Sequence, residues 1–151
     1  MNLYEGVVSV VGDEYQLQLG DQQLTVPQSV LAARPDLEGY LGQSVVVGIR
    51  PEDLEDAALG ADHPADQRLH STIEVREALG AETLIHFNLA APVVDSGDPD
   101  ALEELGQEDA GRCTGRFGAA SRASVGDQIE INVTTEHLHF FDRKTHVAIR
   151  G

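Results

Sequence analysis

The chain has 151 residues, enough for one ordinary domain or two small ones sharing a core. Ten Lys and Arg against 26 Asp and Glu leave a formal charge of -16, a surface that repels phosphate backbones and anionic lipid and so argues against nucleic-acid binding and membrane insertion. Hydrophobic residues make up 41%, sufficient for a packed core, while 5% aromatics and no Trp leave few rings for stacking bases or sugars.

Along the chain the dominant signal is alternation, the two-residue period of strands. Residues 6–11 read as a β-branched strand ended by the turn pair Gly12-Asp13. Residues 15–19 alternate cleanly up to Gly20-Asp21, and 23–26 make a third strand stopped by Pro27, so the opening predicts a three-stranded meander. A helical turn is expected at 29–33, broken by Pro35. Residues 45–49 form a continuous apolar strand, buried on both faces, which Arg50-Pro51-Glu52-Asp53-Leu54 leaves abruptly. From 55 to 67 the composition shifts to Ala, Gly, Asp and Pro, an exposed connection and the best subdomain boundary.

Residues 71–79 predict a strand with Ile73 and Val75 inward and Glu74 and Arg76 in water. Gly80-Ala81 turns the chain, and Ile85, Phe87 and Leu89 form the inward row of the returning strand, with His86 on its wet face. The stretch 95–109 is acidic with no basic residue and reads as a solvated excursion. A strand is expected within 112–122, then a turn at 124–127 and an inward row of Ile129, Ile131 and Val133. Residues 138–141 and 147–149 close the chain as two short strands. About ten short strands with little helix predict an all-β barrel or sandwich, and no internal repeat stands out.

The motifs for chemistry are mostly missing. There is no phosphate-binding loop, and Lys144 is the single lysine. Gly-x-Gly-x-x-Gly, Cys-x-x-Cys and His-Glu-x-x-His are absent too, so neither nucleotide hydrolysis nor structural zinc is expected. In a strand His137 and His139 share a face and could reach one metal, with Glu136 or Asp142 as an oxygen ligand; the plainer reading is two imidazoles at a strand rim. The lone Cys113 excludes an internal disulfide and fits a reducing compartment. Its neighbours Arg112 and Arg116 would lower a thiol pKa, but a small buried strand residue is the simpler role. Pro51 restricts Arg50 to extended geometry at a strand end, suited to a bidentate salt bridge or a subunit contact. Met1-Asn2-Leu3-Tyr4-Glu5 lacks the marks of a signal peptide, and no run approaches the ~20 apolar residues of a membrane span, so the expected location is cytoplasmic.

Three segments together resemble one family. Val47-Gly48-Ile49-Arg50-Pro51-Glu52-Asp53-Leu54 is similar to the "GIRPE" signature of the C-terminal regulatory domain in sugar-importing ABC transporter ATPase subunits of the maltose and trehalose type. Residues 73–83 resemble that family's "EVVEXLGXET" stretch, and Leu138-His139-Phe140-Phe141-Asp142 its "HLFD" ending. The resemblance implies an OB-like β-barrel with an appended small β-subdomain, the TOBE architecture. One regulatory domain would span 1–151, its subdomains being 1–56 with 113–151, and 67–112. It further implies a homodimer, an N-terminal ATPase domain, and membrane permease subunits at the inner face of the cell membrane. No catalytic, cofactor-binding or metal residue carries over, and no cofactor is expected. The motif positions Gly48, Arg50, Pro51, Glu52, His139, Phe141 and Asp142 are candidates for an interface or a structural role. The alternative is a module binding a small oxyanion or sugar, the former opposed by the net charge.

Overall fold

The computed structural model describes residues 2–89 and 112–149. Strands β1 (Asn2–Val11), β2 (Glu14–Leu19) and β3 (Gln22–Val26) form the expected meander. Its two-residue turns need a left-handed residue, supplied by Gly12 at φ +63° and Gly20 at φ +60°. Alternation puts Tyr4, Val8, Leu17, Leu19, Leu24 and Val26 inside. Helix α1 (Gln28–Ala32) and a 3₁₀ turn at Pro35–Tyr40 add Val30, Leu31 and Leu37 to the same core. Strand β4 (Ser44–Ile49) is buried from Val45 to Ile49, as its unbroken apolar run requires.

After β4 come a 3₁₀ turn at Pro51–Asp53 and the short β5 (Leu54–Asp56). The long hairpin strands β6 (Arg68–Ala78) and β7 (Glu82–Asn88) are followed by β8 (Arg112–Gly118) and β9 (Gln128–Val133). A further 3₁₀ turn at Thr135–His137 leads into β10 (His139–Phe141). The ten strands make two five-stranded antiparallel sheets, ordered β10-β4-β1-β2-β3 and β5-β9-β6-β7-β8. This is the all-β, helix-poor OB-like architecture that the sequence predicts. One hydrophobic cluster runs through both sheets, from Tyr4 to Ile149.

The two sheets draw on different parts of the chain. Residues 112–118 pair along all of β7, and 128–133 pair with both β5 and β6, so only the segment from His139 onward returns to the first sheet. Val75 is half-buried, because a bulge between Ile73 and Val75 shifts the register after Ile73. In β9 the inward row is Ile131 and Val133, while Ile129 is half-buried. The closing strand expected at 147–149 reduces to one bridge, Phe141 to Ala148. The acidic stretch 95–109 lies outside the described residues.

Amide side chains stitch the sheets by imitating strand pairing. Asn2 donates to Ile49 O (3.0 Å) and Thr114 O (2.9 Å) and accepts from Thr114 N (3.1 Å). Gln22 donates to His70 O (2.8 Å) and accepts from His70 N (2.7 Å). Glu55 accepts from Gly118 N at 3.0 Å, linking β5 to β8.

Candidate functional site: the paired crossovers

The motif residues gather where the chain changes sheets. Gly48, central in β4, faces Leu3 on one side and His139 on the other, so the two most recognisable segments are hydrogen-bonding neighbours. Pro51 opens the 3₁₀ turn that carries the chain out of β4, where its missing N–H is no loss. The second crossover, Thr134 to Leu138, runs beside the first. Thr134 N donates to Asp53 O at 3.0 Å, and His137 Nδ1 lies 2.8 Å from Asp53 Oδ1. Thr135, 1% exposed, donates its hydroxyl to Gln67 Oε1 at 2.9 Å.

Arg34 locks this region from the other side. Its guanidinium donates to Val30 O (3.3 Å), Glu136 O (3.3 Å) and Leu138 O (2.8 Å), and lies 5.9 Å from the Phe140 ring centroid. Partial burial lowers its pKa from the usual arginine value. Carbonyl dipoles and a ring face take the place of a carboxylate partner.

Beyond β10, Asp142 organises the closing turn. Its Oδ1 accepts from Lys144 N (2.8 Å) and Thr145 N (2.9 Å), and its Oδ2 accepts from Tyr40 OH (2.8 Å). The Thr145 N–H, the Tyr40 hydroxyl and the Lys144 N–H together hold its pKa down at about 2. Arg143 adds an ion pair to Glu5 at 2.8 Å.

The candidate chemistry does not assemble. His137 sits in the 3₁₀ turn and faces Asp53, whereas His139 lies in β10 and stacks on Phe141 with centroids 6.4 Å apart. Among the described residues no three His, Cys, Asp or Glu side chains are placed to hold a metal ion. Cys113 is fully buried, and burial outweighs its hydrogen bond with Tyr4, pushing the thiol up to about 12. Tyr4, from the other sheet, is its hydrogen-bond partner. Arg50 is exposed and forms no ion pair with any described residue; Glu52 instead lies 3.9 Å from Arg116, which also holds Glu82 at 3.0 Å.

Arg34 and Tyr40 are tying positions that motif reading missed, and Asp53, inside the quoted motif, was not singled out. Their roles depend on contacts more than 80 residues away, and only Pro35 after Arg34 marks a special backbone locally. Two open grooves of about 330 and 380 Å³ flank Ile129 and Glu130. Their most buried cation, Arg68, is already committed to Asn132 (2.9 Å), Glu130 (3.2 Å), and the carbonyls of Ala61 (3.1 Å) and His63 (2.9 Å). No helix among the described residues is long and apolar enough to cross a membrane.

Comparison with known proteins agrees with this geometry. Residues 1–54 match the MalK OB fold domain family and residues 47–101 the TOBE domain family, the two overlapping on the first crossover. The chain is 30% identical over 129 residues to the trehalose import ATP-binding protein SugC of Mycobacterium tuberculosis (strain H37Rv), covering 79% of this chain and 33% of SugC. It is 27% identical over 150 residues to the oligosaccharides import ATP-binding protein MsmX of Bacillus subtilis (strain 168), covering 99% and 34%. To the trehalose/maltose import ATP-binding protein MalK of Thermococcus litoralis it is 26% identical over 154 residues, again 99% and 34%. The chain thus spans about a third of the length of these relatives. In fold it resembles the crystal structure of the cytoplasmic molybdate-binding protein ModG, with a TM-score of 0.53 at 14% identity over 92% of this chain and 94% of that one.

Proposed function

This chain belongs to the MalK-type OB/TOBE family of sugar-import ATP-binding proteins, and from that premise we propose that it serves as the non-catalytic regulatory domain of such a subunit, pairing two subunits on the cytoplasmic side of a membrane permease. The observation that carries the reading is the tiling of the two family matches along residues 1–101, joined at the crossover where the motif residues lie. The side chains agree with a mechanical role. Asp53, Arg34 and Asp142 are occupied in holding elements together, and Cys113 is sealed in the core. In this proposal ATP is hydrolysed by another part of the subunit, since the chain has no phosphate-binding loop.

Pairing requires a symmetric contact of at least ~1,000 Å². On the second sheet and its connections, Leu59, Leu79 and Val125 are large apolar side chains left 42%, 55% and 61% exposed, and we assign the contact to this part of the chain. Sedimentation equilibrium tests the proposal: the mass rises from monomer towards dimer with concentration, and Leu79→Glu with Val125→Glu abolishes the rise. A chain that stays monomeric at every concentration refutes the pairing. The likeness to ModG supports the fold and not an oxyanion ligand, because -16 of net charge opposes an anion and Arg68 is already spent.

A further inference from the structure

Most of the charged groups described above are spent on the fold. Asp53 faces His137, and Asp142 accepts from Tyr40 and from the closing turn. Arg68 donates to Asn132, Glu130, Ala61 O and His63 O. One cleft differs. Between α1 and the 3₁₀ turn at Thr135–His137 lies an open pocket of about 270 Å³, lined by Ser29, Val30, Ala33, Arg34 and Glu136.

Its polar groups are uncommitted. A guanidinium has five N–H donors. Arg34, half-buried, gives one each to Val30 O, Glu136 O and Leu138 O, and the others have no acceptor among the described residues. The Ser29 hydroxyl and the Glu136 carboxylate likewise bond to no described residue. The frame beneath them is nevertheless fixed. The Ser29 carbonyl accepts from Ala33 N at 3.0 Å within the α1 turn, and the Glu136 carbonyl accepts from Arg34 beside the buried Leu138.

The lining selects by charge. An anion would meet Arg34 but is opposed by Glu136 and by the net charge of -16. A cation would meet Glu136 but is opposed by Arg34. A neutral ligand with neighbouring hydroxyls uses both walls. Its oxygens accept from the guanidinium and its O–H groups donate to the carboxylate, the stronger, charge-assisted class of hydrogen bond. Val30 and Ala33 offer apolar surface to its C–H face. The volume falls just short of the ~300 Å³ at which pockets for drug-sized ligands begin, which leaves room for one sugar ring and not for an oligosaccharide.

We propose that this pocket binds a neutral monosaccharide, held by Arg34, Glu136 and Ser29. The bound sugar adds a bridge between α1 and the second crossover, beside the one Arg34 already makes, and stabilises the folded domain in proportion to its occupancy. The site shares no residue with the surface assigned to pairing and does not rest on that reading.

The test titrates D-glucose into the full chain labelled with nitrogen-15, with sodium acetate as the contrasting ligand. The amide resonances of 29–34 and 136–138, and the Arg34 Nε resonance, should move along one saturable curve. A ring of about a dozen heavy atoms at ordinary ligand efficiency gives a Kd on the order of 1 mM. Acetate at the same concentrations should leave these resonances in place. Ser29→Ala and Glu136→Gln each remove one partner and should raise the Kd by about three- to ten-fold, with the thermal midpoint of the unliganded chain unchanged. No movement at about fifty times that Kd, movement centred on other residues, equal movement with acetate, or a Kd untouched in both variants overturns the proposal. The resonances report on the site residue by residue, so a chain that stays monomeric, refuting the pairing, leaves this result intact.

Discussion

Truncating Leu54 to Ala probes β5 at its first residue, where the chain passes from one sheet to the other. The side chain is fully buried in the second sheet's core, although its chain neighbours before the crossover belong to the first sheet. Removing three carbons forfeits about 2.4 kcal/mol of transfer free energy, at about 0.8 kcal/mol per methylene. A cavity term adds about 1 kcal/mol, because a principal neighbour is Gly115, which has no side chain to swing into the space. The expected loss is about 3.5 kcal/mol, a large part of the roughly 5–15 kcal/mol that holds a typical domain together. Urea titration followed by circular dichroism measures the total. Two-dimensional amide spectra, read separately for β1–β4 and β6–β9, show where the loss is felt. Both sets must shift to the same lower midpoint, since β5 and β10 cross between them. A loss under 1 kcal/mol, or a fall confined to β6–β9, refutes the account of Leu54 as a shared structural member.

Gly42→Ala and Gly126→Ala should each lower stability by about 1–2 kcal/mol and by similar amounts; both glycines have positive φ with open space around the missing Cβ, so only backbone strain changes. A variant as stable as the parent chain in urea titration would refute the strain at that turn. Cys113, its thiol pushed up to about 12, has a thiolate fraction on the order of one in ten thousand at pH 8, so a disulfide reagent should leave it unlabelled until the chain unfolds; labelling within seconds in native buffer contradicts the burial. Asp142 titrates at about 2 rather than near 3.8. The folded state therefore gains stability from it above the ordinary carboxylate range and loses that gain as pH falls through about 2. Tyr40→Phe removes one of its donors, so the carboxyl resonance should titrate at higher pH and the acid loss begin earlier; an unmoved titration curve would show that Tyr40 contributes nothing.

The meander, β4 and the β6–β7 hairpin were readable because each rests on local rules. Gly12-Asp13 and Gly20-Asp21 supply the turns, and period-two apolar rows supply the buried face. The assignment of β5 and β10 was not readable. Three-residue strands carry almost no pattern, and their partners are set by register with strands roughly 75–95 residues away. Arg50 shows the same boundary in the candidate site. Pro51 does fix its backbone as extended, at φ -80° and ψ 143°, yet proline determines the direction of the chain and not the partner of the side chain. The carboxylate two positions on faces Arg116, whose distance in sequence left no signal. Asp142 was legible as a motif residue but not as the acceptor that ties Tyr40 to the closing turn.

The motif positions acquire a physical reason from the crossing. A segment that leaves one sheet and enters another must turn within a few residues while keeping its backbone groups bonded. Pro51 sets the turn, Asp53 binds the second crossover through both carbonyl and carboxylate, and Leu54 seats the arriving strand. The second crossover is held by different side chains, Arg34, just beyond α1, donating to its Glu136 and Leu138 carbonyls. The proposed role of holding two subunits together gains from this construction. A linker between two closed barrels would bend at the cost of a few exposed contacts. Here separating the sheets requires stripping β5 from β9 and β10 from β4 together, exposing Leu54, Leu138 and Phe140 in one step. At about 1.5–3 kcal/mol for each of these three buried apolar side chains, that opening costs on the order of 4.5–9 kcal/mol, within the range of a whole domain's stability.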